Sequence, residues 1–284
     1  MIDLNAASFL VQWAAGGWLF LWVTTRRREV GLGYGWLMRI VYLALAAGSL
    51  IVSWFFGAVP VRDGLVLAMV FAGTAALAVS IQRKAAGVAG QRERVERRSQ
   101  EVADMTGIDR DVQHFDKGQA EFPPWIDLVP ALLGFAALIP AGIDAGDPAL
   151  LSIVRLVVGA AFLGAVTDAM LLGHWYLVQP GLARGPLLEL VRWTALLWPL
   201  ELLVLLWPTG MWSAIDGSID DGYNGLLTWF WIASTLATII LVGVCRAALR
   251  ERQYSAVMAA TGLLYLAILM AFGMDLVARA ILAG

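Results

Sequence analysis

Charge is scarce in this chain: 15% of its 284 residues are Asp, Glu, Lys or Arg, and 60% are hydrophobic. Soluble domains carry about 25% charged and about 45–50% apolar residues, so an ordinary water-soluble protein is excluded. The single cysteine, Cys245, excludes an internal disulfide and any cysteine-cluster metal site, and it leaves the redox compartment open. Two histidines, His114 and His174, are too few for a bis-histidine haem within a membrane, because only His174 lies near an apolar run. A formal net charge of −2 offers no basic surface to nucleic acid. No metal and no covalent cofactor is expected.

Catalytic motifs are missing as well. No Ser-His-Asp-like arrangement, HExxH pair or phosphate loop occurs. Asp104, Asp109, Asp111 and Asp116 lack the spacing and the closing glutamate of a calcium loop. The stretch Gly31-Leu32-Gly33-Tyr34-Gly35 has the look of a nucleotide fingerprint, but it joins two apolar runs where a strand and a helix are required. The halves of the chain share no repeat, which argues against an inverted-repeat transporter.

What the sequence has is apolar runs, at 6–24, 36–56, 64–82, 125–143, 148–174, 186–207, 225–245 and 254–281. Each is long enough to cross a hydrocarbon core of about 30 Å as a helix, and none shows the alternation of a barrel strand. The expected fold is an all-α, polytopic transmembrane bundle of about eight spans. Residues 1–82 form spans one to three, 83–123 a charged cytoplasmic loop that is part helical, and 124–284 spans four to eight. Arg26, Arg27 and Arg28 follow the first run, which has no basic segment before it, so this run reads as a retained span.

Basic residues set the orientation. With the N-terminus outside, all 20 lysines and arginines except Arg62, Arg155 and Arg279 lie inside. Outer connections are acidic, with Asp144, Asp147, Asp216, Asp220 and Asp221. Both termini are therefore expected outside, in a multi-pass protein of the cell (plasma or inner) membrane. Trp22, Trp36, Trp125 and Trp175 fall at inner span ends, and Trp54, Trp207, Trp212 and Trp229 at outer ones, as interfacial anchors do. In the loop, Glu93 precedes Arg97 by four residues and no apolar stripe occurs, so a solvated helix is expected. It would serve as a spacer over anionic headgroups or as a docking surface for a protein partner.

Ionisable groups inside spans are costly and mark function or pairing. Ala160, Gly164 and Asp168 recur at intervals of four on span five, a small-residue row that invites a close neighbour and turns Asp168 inward. Asp168 and Arg192 have matching depth on consecutive spans, and an ion pair between them is expected. His174, Trp175, Tyr176 and Gln179 bring an imidazole, an indole, a phenol and an amide to the inner interface. Such a set suits the polar head of a quinone or lipid. His174 nevertheless lies about 120° round the axis from Asp168, with Trp175 nearly in line. In an outer layer, Glu201 follows the bend expected at Pro199, Arg155 has similar depth, and Asp275 and Arg279 are four apart on span eight.

The leading reading is a non-catalytic, or quinone- or lipid-interacting, subunit of a larger membrane complex. The lipid bilayer is its expected partner, and possible membrane or cytoplasmic protein partners would dock through residues 83–123. The alternative is a proton- or cation-coupled transporter using Glu201 and Asp168, with Arg155 and Asp275 in the same layer. A further alternative is a lipid-modifying membrane enzyme using His174.

Overall fold

The computed structural model describes residues 5–84, 91–107, 109, 118, 120–179, 182–208, 210–251 and 253–283. His114 and the Pro180-Gly181 turn expected between spans five and six lie outside the described residues. In chain order the helices are α1 (Ala6–Thr25), α2 (Leu32–Phe56), α3 (Pro60–Gln82), α4 (Gln91–Thr106), α5 (Leu128–Asp144), α6 (Ala149–Val178), α7 (Gly185–Leu206), α8 (Met211–Ile215), α9 (Leu226–Ala248) and α10 (Tyr254–Ala283). A 3-10 turn, Pro124–Asp127, leads into α5. No strand occurs among the described residues.

Seven helices are long and apolar enough to cross a membrane: α1, α2, α3, the turn with α5, α6, α9 and α10. The eighth expected span, α7, has 22 residues but carries Glu189, Arg192 and Glu201, so length and apolarity alone do not group it with the seven.

Helix α1 occupies the centre and packs on α2, α5 and α6, while α10 packs on α9 and α6, and α3 on α2 and α5. Its hydrophobic residues point in every direction, the pattern of a helix buried all round. Asn5 caps it, the side-chain oxygen accepting Ser8 N–H at 3.0 Å. The small-residue row of α6 does meet a neighbour: a Cβ at Gly16 would strike the Ala160 carbonyl, and one at Gly164 would strike the Gly16 backbone. The two backbones touch there because neither glycine has a side chain to hold them apart.

Helix α4 departs from expectation. Glu96, Ser99 and Ala103 are buried, and Gln179 on α6 donates to the Ser99 hydroxyl at 3.4 Å. These three residues, three and four apart, make a buried face that is mostly polar and carries no apolar stripe. Around the rim, Trp54, Trp125, Trp207, Trp212 and Trp229 are exposed. Trp36 instead donates inward to the Ser80 hydroxyl at 3.1 Å.

Candidate functional site

Two internal polar layers lie along α6. Asp168 and Arg155 are thirteen residues apart on it, which sets the layers about 20 Å apart along the helix axis.

The inner layer centres on Asp168, which is fully buried. Tyr34 donates to its Oδ1 at 3.0 Å and Tyr42 to its Oδ2 at 2.5 Å. Both tyrosines come from α2, two turns apart, and both are fully buried. The expected Asp168–Arg192 ion pair does not form. Leu187, Leu190, Val191 and Thr194 make the buried face of α7, which turns Arg192 to the exposed side. Tyr34 and Tyr42 escaped the sequence reading, although two tyrosines eight residues apart in an apolar run were a visible signal.

The quartet His174, Trp175, Tyr176 and Gln179 does not converge on one pocket. His174 is exposed, its Nδ1 3.0 Å from the Tyr265 hydroxyl of α10. Trp175 donates to Gln179 Oε1 at 3.0 Å and packs edge-on against Tyr34, as its alignment with Asp168 implied. Tyr176 is buried and donates to the Ala183 carbonyl. Gln179 serves α4.

Between Tyr34 and Tyr42 on α2, Arg39 grips Asp127 with two bonds, Nε to Oδ1 at 2.9 Å and Nη2 to Oδ2 at 2.6 Å. Its Nη1 reaches Ser80 at 3.1 Å, and the guanidinium lies 4.4 Å from the centre of the Phe122 ring. Asp127 went unnoticed in the sequence although it lies at the start of the 125–143 run, just behind Pro123-Pro124. Glu189 pairs with Arg26, and more distantly with Arg27 at 3.5 Å.

The outer layer joins four helices. Asp275 accepts Arg279 Nε at 2.7 Å, one turn along α10, and Gln12 Nε2 at 3.4 Å from α1. Arg279 also donates to Gln12 Oε1, so the amide of α1 bridges the pair. Arg155 on α6 donates to the Val204 carbonyl of α7 at 2.8 Å. In a regular helix that carbonyl would accept the N–H of residue 208, which is Pro208 and has none, so the arginine supplies the missing donor.

Glu201 faces this group from α7. It is fully buried, and neither of its oxygens accepts a hydrogen bond among the described residues. Asp275, Arg279 and Arg155 are the charged groups near enough to act on it. The geometry therefore holds a carboxylate with open lone pairs beside the charges of Arg155, Asp275 and Arg279. No group of three or more metal-ligating side chains occurs among the described residues.

Compared with protein-family models, curated proteins and solved structures, the chain matches none. Fold and polar layers together make it a multi-pass α-helical membrane protein.

Proposed function

We propose that the chain is a proton- or cation-coupled transporter of the cell membrane, with Glu201 its outer exchange group and Asp168 its inner one. The observation that carries this is the open Glu201 carboxylate in the outer layer. A buried carboxylate without donors is costly, and selection for stability alone would supply one. In this cluster Glu201 is the group that can take up and release a proton or small cation without breaking a bond already made. In proteoliposomes under an imposed gradient, Glu201→Gln is expected to lower proton uptake at least tenfold without changing the melting temperature. Uptake at the wild-type rate, or a loss explained by unfolding, sinks the proposal, as does a wild-type protein that moves no protons.

In this reading α7 is the eighth span, both termini face outward, and residues 83–123 face the cytoplasm. The distribution of basic residues supports it. With Cys245→Ser as background, Glu101→Cys is expected to react with an impermeant thiol reagent only from the cytoplasmic side, and Ser218→Cys only from the outside. Labelling of both from one side rejects the topology.

A second reading rests on the exposed His174–Tyr265 pair, an imidazole and a phenol presented together where a lipid or quinone headgroup would lie. It makes the chain a quinone- or lipid-interacting subunit of a larger assembly. Mild-detergent purification is then expected to retain near-equimolar quinone or phospholipid, lost on His174→Ala. A wild-type protein free of both contradicts this reading.

A further inference from the structure

Helix α9 is built inside out. Leu226, Trp229, Phe230, Leu236, Ile240 and Val244 are exposed, whereas its buried face reads Thr228, Trp231, Ser234, Thr235, Thr238, Val242 and Cys245. From the outer end to mid-helix, that inward face is hydroxyl and indole.

Three of these groups lack partners among the described residues: Trp231 Nε1, Ser234 Oγ and Thr235 Oγ1. Other buried hydroxyls, Thr238 of the same face among them, satisfy themselves by donating one turn back. Thr167 does so to Leu163, Thr194 to Leu190, Thr238 to Ser234 and Thr261 to Val257. Ser234 and Thr235 take no such bond, although the carbonyls of their own helix are available.

The register brings these atoms to Glu201. On the α10 side, Cys245 Sγ lies 3.7 Å from the Ala260 carbonyl, and a Cβ at Gly273 would stand 3.2 Å from Ser234 Oγ. This antiparallel register sets Trp231 level with Met274 and Asp275. On the α7 side, Trp198 donates to the Thr235 carbonyl at 3.2 Å, and Glu201 is three residues farther along, one turn toward Trp231.

We infer that the inward face of α9 is a hydrated half-channel, holding water or hydronium, that joins the outer surface at Asp221 to the Glu201 carboxyl. Mixed orphan donors and acceptors at one level are satisfied by water, which offers both. At the mouth, Asp221 accepts the N–H groups of Tyr223, Gly225 and Thr228 at 2.8–3.0 Å. Burial acts to raise its carboxyl, but the Thr228, Tyr223 and Gly225 N–H groups and the Thr228 hydroxyl outweigh this and bring it down to about 2. The mouth therefore carries a fixed negative charge at physiological pH, favourable to an entering cation.

From Thr228 to Thr238 the path runs about 15 Å, half of a hydrocarbon core of about 30 Å. Below it Val242 and Leu249 close the seam. The charged groups around its inner end are Arg155 from α6 and Asp275 and Arg279 from α10. The buried face of α9 brings no charged side chain there.

The inference deepens the proposal that Glu201 exchanges protons, and it is testable apart from that proposal. X-ray hydroxyl-radical footprinting of the whole chain in lipid nanodiscs labels side chains that touch bound water. After correction for intrinsic reactivity, Trp231 is expected to be labelled at least tenfold faster than Phe162, which is equally buried in the apolar core. Ser234→Ala with Thr235→Val is expected to cut Trp231 labelling at least threefold. If that double variant does not fold, the wild-type Trp231 rate decides. Labelling of Trp231 at the Phe162 rate overturns the half-channel, even where proton uptake depends on Glu201. Strong labelling without Glu201-dependent uptake keeps the half-channel and removes the transport reading.

Discussion

Asp168→Ala is expected to be among the most destabilising single substitutions in the chain. It removes the acceptor of both Tyr34 and Tyr42 and strands two phenol hydroxyls that are fully buried. An orphaned buried polar group costs about 1–3 kcal/mol, so the pair costs about 2–6 kcal/mol, with a small cavity in addition. Asp168→Asn keeps one acceptor and adds an amide donor that a rotated phenol can accept. It should therefore cost much less, on the order of 1 kcal/mol. Tyr42→Phe deletes one hydrogen bond to a carboxylate, worth about 1.5–3 kcal/mol. The order alanine worst, phenylalanine intermediate, asparagine mildest is read from unfolding of the purified protein in detergent. An alanine variant as stable as the asparagine one would mean that the tyrosines find other acceptors, and that the cluster does not tie α2 to α6.

Arg39→Ala is expected to cost about 3–5 kcal/mol, the usual penalty for removing one member of a buried ion pair. Asp127 would be left without a counter-ion at a position where it is fully buried. Ser80 and the Phe122 ring would lose a partner too. Arg39→Met combined with Asp127→Leu removes both charges and fills their space. Its stability should return to near the wild-type value or above, as with other buried pairs replaced by apolar residues. Wild type, Arg39→Met, Asp127→Leu and the double variant, compared by chemical unfolding, give a coupling energy directly. Equal losses in the single and double variants would show that the packing of Arg39, and not its charge pairing, is what holds α2, α3 and the turn before α5 together.

Both predictions concern contacts that sequence reasoning missed or misassigned, and the reason is geometric. Position along an apolar run is legible from sequence, and it separates two polar groups that lie about 20 Å apart along α6. It also puts Arg155, Glu201, Asp275 and Arg279 in the same one of the two. Depth is only one coordinate. Asp168 and Arg192 share it, but the buried face of α7 points Arg192 away, while α2 brings two tyrosines from a helix remote in sequence. The same limit split the His174 quartet: four residues within six positions project on several sides of α6, and only Trp175 and Gln179 bond to each other.

Helical spans follow from sequence because their cause is one-dimensional. About 20 consecutive apolar residues satisfy their own backbone hydrogen bonds and need no partner to justify their place in lipid. The Ala160-Gly164-Asp168 row was readable for a similar reason, since helix periodicity alone puts those residues on one face. Which helix would lie against that face, and so place Gly16 on Gly164, depended on the assembled bundle. The partners of Asp168, Arg39 and Arg155 were likewise decided there, whereas Asp275 and Arg279 pair within one helix, as their spacing of four allows. A hydrogen bond needs two groups within about 3 Å, and in a bundle that proximity is set by how helices distant in the chain rotate and cross. That is why the apolar runs reveal the membrane, and only the packed helices show that Asp168 is held while Glu201 is left open.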